Sequence, residues 1–160
     1  SRDRIVPDWL PKVALAICAI GFLVSIYLTI EAFTTGVTLA CPEGETINCA
    51  KVTESEWSKL FGIPVAPLGL AFFAGMAWLC RPSMFRRPGV RWDRLRLAGV
   101  GVGLAMVLYL VWAELFKIHA ICLWCTAVHV ATFALFVALL FGQILIEPAP
   151  ARVRYKDRPR

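Results

Sequence analysis

Residues 120–146 read AICLWCTAVHVATFALFVALLFGQILI, a run whose only strongly polar groups are His129 and Gln143. A helix needs about 20 apolar residues to cross a hydrocarbon core of roughly 30 Å, and this run is long enough. It lacks the strict alternation of a barrel strand, so it reads as a helix. Three further windows lie upstream. One covers about 97–116 and is apolar from Leu97 to Ala113, just before Glu114; one covers 63–80 and has no charge; one covers 13–33, with Glu31 its only charge. Of all residues, 59% are apolar, against about 45–50% in soluble domains. That excludes a disordered chain, a collagen-like repeat and a small disulfide-rich secreted knot. The expected fold class is an all-α membrane protein, a bundle of four transmembrane helices. A cleavable signal peptide fits the first window poorly, because the window is too long and no cleavage site leads into a soluble domain.

Lysine and arginine set the expected orientation. All 17 except Lys51, Lys59 and Lys117 fall in the N-terminal tail, between the second and third windows, or after Pro148. The positive-inside rule then places both termini in the cytoplasm. The net charge of +6 is therefore a topology signal. Basic stretches that flank membrane spans suit anionic lipid headgroups, and no nucleic-acid partner is expected.

Two segments then face outward, about 34–62 and about 114–121. Connections in helix bundles usually take 2–8 residues, so the first is too long to be a mere connector. Within it, Val52, Trp57, Leu60 and Phe61 fall near helical spacing among Lys51, Glu54, Glu56 and Lys59. The spacing predicts a short amphipathic helix from Ala50 to Phe61, capping the outer face.

Topology also sorts the six cysteines. Cys18 lies within the first window and Cys80 at the cytoplasmic end of the second, where each reads as a small buried apolar residue. Cys41 and Cys49 lie in the long outer segment, and Cys122-Leu-Trp-Cys125 opens the last window. Two pairs thus share the oxidising compartment, where disulfides persist. Cys122 and Cys125 are three apart at a helix start, which puts them on one face and lowers a thiol pKa. The last helix runs on into the bilayer, so this pair lies within reach of a membrane-soluble two-electron acceptor. Cys41 and Cys49 flank a hydrated loop that a soluble partner can reach. A relay by thiol–disulfide exchange follows, from loop pair to helix pair. Two other readings stay open: a pair of static structural disulfides, as in a membrane adaptor or transporter subunit, and a zinc site. The gap from Cys41 to Cys49 suits zinc-ligand spacing poorly, and no metal site is expected.

These residues together resemble the vitamin K epoxide reductase family, and more closely its bacterial members. The resemblance rests on Ser25-Ile-Tyr27-Leu-Thr29, on Cys41 and Cys49, on Ser55, Trp57, Phe61-Gly62 and Gly69, and on Cys122-x-x-Cys125 opening the last helix. It implies a catalytic domain over 1–146, with helices at about 13–33, 63–80, 97–116 and 120–146, and a basic cytoplasmic tail over 147–160. The family fold is a four-helix bundle around a quinone. The implied enzyme, of a bacterial inner membrane, oxidises a DsbA-like thioredoxin-fold protein and passes the electrons to a membrane quinone, ubiquinone or menaquinone. By the same resemblance Cys125 lies nearest the quinone, Cys122 exchanges with the loop pair, Cys49 meets Cys122, and Cys41 meets the partner. Ser55 matches a family serine placed near the quinone carbonyl. Animal members carry an Asn on helix two, absent from residues 65–79, and a Tyr where His129 stands here. Those departures weigh against the family alternative of vitamin K epoxide reduction. No thioredoxin-like domain follows the last helix, so a separate soluble partner is expected.

An ionisable residue inside a membrane is a functional suspect by default. His129 stands one turn beyond Cys125 on the same helix face, placed to hydrogen-bond a quinone or deliver protons to it. Glu31, Glu114, Lys117 and His119 fall near the outer interface, where snorkelling and anchoring account for them.

Overall fold

The computed structural model describes residues 5–34, 44–87 and 89–146. Cys41 and the tail over 147–160 lie outside the described residues. The elements in chain order are α1 (Trp9–Phe33), α2 (Cys49–Thr53), a 3₁₀ turn (Glu56–Ser58), β1 (Lys59–Leu60), β2 (Ile63–Pro64), α3 (Val65–Leu79), α4 (Pro82–Arg86), α5 (Val90–Ala113), a π turn (Glu114–Ile118) and α6 (Leu123–Leu145). Helix α1 packs against both α3 and α6, α5 packs against α6, and a looser α3–α5 contact completes a four-helix arrangement.

Among the described residues, three stretches are long and apolar enough to cross a membrane: Trp9–Phe33, Val90–Ile118 and Leu123–Leu145. Helix α3 has 15 residues, or about 22 Å at 1.5 Å per residue, which is short of the roughly 30 Å core. The hairpin β1–β2 before it and α4 after it interrupt what composition alone reads as one longer helix. The outward face of the bundle is apolar, with Val102 72% and Ile144 74% exposed. Such a face suits lipid rather than water. Aromatic side chains gather at both ends, as in interfacial belts. Trp78 and Trp92 stand with Arg81 and Arg91 at one end. Trp57, Trp112 and Lys117 stand at the other.

The expected amphipathic helix over 50–61 does not form as one piece. Side-chain hydroxyls take up backbone carbonyls there: Ser55 Oγ donates to Val52 O at 2.7 Å, and Ser58 Oγ to Thr53 O at 2.7 Å. Such bonds compete with helical ones. The chain then reverses through Phe61 and Gly62, both at positive φ (53° and 80°), between the paired residues Leu60 and Ile63. Two residues of positive φ make the primed turn whose twist suits a two-residue hairpin.

Two buried clusters hold the bundle. One joins Leu10, Ala14 and Cys18 of α1 to Met76, Cys80, Phe85, Val100, Leu135 and Leu139. Arg96, one of the basic residues between the second and third apolar windows, is folded into this end and is 1% exposed. Its guanidinium pairs with Asp93 at 2.6 Å and donates to the Leu79 carbonyl at 3.1 Å, so the last turn of α3 is capped by a cation. Helix α5 accordingly starts at Val90, earlier than the apolar run begins. Close helix approach also shapes this bundle: the Phe73 ring lies against Gly21, where a Cβ would have no room. The second cluster, at the opposite end, contains Cys49, Val52, Ala113, Ile118, Ala120 and Cys122.

Candidate active site

The outer segment reaches the last helix through backbone pairing. Ile47 forms a parallel bridge with Ile121. In it the Asn48 N–H donates to Ile121 O at 3.0 Å, and the Ile121 N–H donates to Thr46 O at 2.7 Å. Asn48 then caps α2, its side chain accepting from Lys51 N at 3.1 Å. Cys49 is therefore the first residue of a short helix docked on the start of α6. It is 2% exposed, disulfide-bonded, and packed in the same cluster as Cys122.

Cys122 is the N-cap of α6, and Cys125 stands in its first turn. The Cys125 N–H donates to Cys122 Sγ at 3.2 Å. Both are free thiols. The Cys122 thiol is held below its ordinary pKa, chiefly by its hydrogen bond with the Cys125 side chain, with backbone N–H groups of Cys125 and Trp124 assisting. That environment favours loss of its proton to give the thiolate, the form that acts as nucleophile.

Below this pair lies a cavity of about 240 Å³. Its wall is mostly apolar and includes Leu28, Phe72, Phe73, Met106 and Leu110, with Cys125 and His129 contributed by α6. An apolar cavity with a few convergent polar groups is the usual form of a small-molecule site. The residues fit a quinone ring: flat apolar walls, a thiol and an imidazole. Gly69 of α3 faces Ser25 here, where an added Cβ would meet Ser25 Oγ at 3.2 Å.

The structure distributes the expected site residues unevenly. Cys125 and His129 border the cavity, and Cys122 and Cys49 share the cluster above it. Ser55 is not among the lining residues. Its hydroxyl is spent on Val52 O, and Thr53 and Ser58 of the same segment reach the wall instead. Glu114, read from sequence as an interface anchor, is 5% exposed. Its Oε2 accepts the Cys122 N–H at 3.4 Å, and its Oε1 lies 4.0 Å from His129 Nε2. The sole sequence signal for that burial was a carboxylate eight residues before the Cys-x-x-Cys.

Cys18 and Cys80 lie in the far cluster, 1% and 0% exposed, their side chains hydrogen-bonded to each other. They are remote in the fold from α6's first turn and border no part of the cavity. Replacing either by alanine is expected to leave turnover within a few-fold, measured in the quinone-reduction assay described below. A loss of about 100-fold from either would assign that thiol to the chemistry.

No curated protein matches the chain. The sequence does match the Vitamin K epoxide reductase family over residues 12–140, a span that takes in α3 and α5 whole, most of α1 and α6, and both outer cysteine segments. On that match the chain belongs to the vitamin K epoxide reductase family, whose activity is quinone-linked thiol oxidoreduction.

Proposed function

We propose that this protein takes electrons from the thiols of a DsbA-like thioredoxin-fold protein and delivers them to a membrane quinone, so supporting disulfide formation outside the cytoplasm. The observation that carries this reading is the position of the Cys122–Cys125 pair, with Cys125 on the cavity and Cys122 packed beside Cys49. One thiol of the pair faces the place of an apolar acceptor, and the other faces the outer segment.

The exchange steps balance as follows. A partner thiolate attacks the Cys41–Cys49 disulfide, and the partner's second thiol resolves the mixed disulfide, leaving the loop pair as two thiols. Cys49 thiolate then attacks Cys122 within an oxidised Cys122–Cys125 pair, expelling Cys125 as thiolate, and Cys41 closes the loop disulfide again. Reoxidation of Cys122 and Cys125 forms one S–S bond and releases two electrons and two protons. A quinone supplies the two-electron acceptor and leaves as quinol. The helix start at Cys122 favours the thiolate that each exchange needs.

Placement in a bacterial inner membrane with both termini cytoplasmic is part of the same proposal. It is supported by Arg81, Arg86, Arg87 and Arg91 gathering at the end opposite the Cys122–Cys125 pair. The direct test uses detergent-purified protein, dithiothreitol and a short-chain ubiquinone or menaquinone, followed by quinone absorbance. Quinol formation at least about tenfold above the protein-free rate is expected. A rate equal to the protein-free control would overturn the reading and leave the disulfides structural.

A further inference from the structure

A carboxylate sealed inside a membrane-embedded bundle is costly unless something there uses or neutralises it. Glu114 is such a group, and its surroundings are specific. It ends α5 and opens the π turn Glu114–Ile118, a wide-turn geometry that recurs at functional sites. Its own carbonyl accepts the Ala120 N–H at 3.2 Å and also the N–H of His119, which sits in the left-handed region at φ 57°. That tight reversal brings Cys122 back onto the Glu114 side chain. The carboxylate then stands between two site residues, touching the Cys122 N–H with one oxygen and approaching His129 with the other. Among the described residues, Lys117 of the same turn is placed over the Trp57 and Trp112 rings, 5.7 and 5.5 Å from their centroids.

We propose that Glu114 is a positioning residue that carries a proton between Cys122 and His129 while the helix pair is reoxidised. The inference rests on the quinone-reductase reading given above. Two S–H protons must leave as the Cys122–Cys125 bond forms, and two must arrive as a quinone becomes quinol. Cys125 borders the cavity, so its proton has a short path. Cys122 is 0% exposed and borders neither water nor the cavity. The Glu114 carboxylate, held at the Cys122 backbone N–H, takes the proton that leaves the sulfur and hands it to the His129 ring, which lines the cavity and would pass it to a quinone bound there. Electrons travel separately, through the sulfur pair, so atoms and charge balance without another reactant. The 4.0 Å from Glu114 to His129 is about 1 Å beyond a hydrogen bond, a gap that catalytic contacts close once substrate is bound.

The discriminating variant is Glu114→Gln, whose amide oxygen still accepts the Cys122 N–H but cannot carry a proton. With dithiothreitol and a short-chain quinone, kcat is expected to fall by about 100-fold or more, with the KM for quinone within about twofold. Glu114→Asp, which restores a carboxylate, should recover part of that loss. Reduction of the Cys122–Cys125 disulfide by dithiothreitol, read by thiol alkylation and mass spectrometry, should keep its wild-type rate in Glu114→Gln. A Gln variant with near wild-type kcat would overturn the proton role and leave the enzyme assignment standing. Equal slowing of both half-reactions with a lowered melting temperature would also overturn it, because a merely structural carboxylate acts on both. Failure of the unaltered protein to reduce quinone would overturn the inference together with the reading beneath it.

Discussion

With Cys125 replaced by serine, quinone reduction is expected to disappear, falling by about four orders of magnitude or more whichever thiol donor is supplied. Among the described residues, Cys125 is the one cysteine that both borders the cavity and lies within hydrogen-bonding reach of a second thiol. Serine is close in shape and its hydroxyl can hydrogen-bond in place of the thiol, but it can form no S–S bond and carries no electrons. Cys122→Ser should fall as far, because the two sulfurs act as a unit and losing one disables both. The change should show in quinone absorbance with dithiothreitol as donor, while the melting temperature moves little. A Cys125→Ser protein that still turned over at a tenth of the normal rate would mean that electrons bypass this pair.

The loop pair is expected to separate two donors. Cys41→Ser should leave turnover with dithiothreitol within a few-fold, since a small dithiol can attack the half-buried Cys125 of the oxidised pair directly, and should abolish turnover with a reduced thioredoxin-fold protein. The protein donor is too large to reach Cys122, which is fully buried beneath Cys49 and its helix. Cys49→Ser should show the same split. It also places a hydroxyl at a site 2% exposed, so its stability should fall by about 1 kcal/mol or more. The measurement is a paired assay of each variant with both donors. If Cys41, Cys49, Cys122 and Cys125 variants all behaved alike with both, a two-stage relay would be wrong.

Much of this molecule could be read before any fold was known, and the boundary has physical causes. Hydrophobicity is a property of segments, so the long apolar runs at about 13–33 and 120–146 were visible at once. The Cys-x-x-Cys was equally plain, because three-residue spacing at a helix start has one geometric outcome. The short α3 and the broken segment after α2 were not visible. Hydroxyl-to-carbonyl bonds from Ser55 and Ser58, and the positive φ at Phe61, compete with helix formation locally in ways that periodicity does not register. Ser55 shows the same limit. Its place in the chain matches a family serine, yet its hydroxyl bonds to its own neighbour and Ser58 takes the place on the cavity wall.

Residue types and their spacing were enough to give a helical protein with stretches apolar enough to cross a membrane, its likeness to the family, and four cysteines as candidates for redox exchange. Which groups meet was decided only by the tertiary structure. The Ile47–Ile121 bridge lays the loop cysteine against the helix pair, and the π turn swings Glu114 under Cys122. Both depend on backbone hydrogen bonds between segments far apart in the chain or on a single wide turn. Neither leaves a periodic trace in the order of side chains, because a backbone N–H and C=O are the same at nearly every residue.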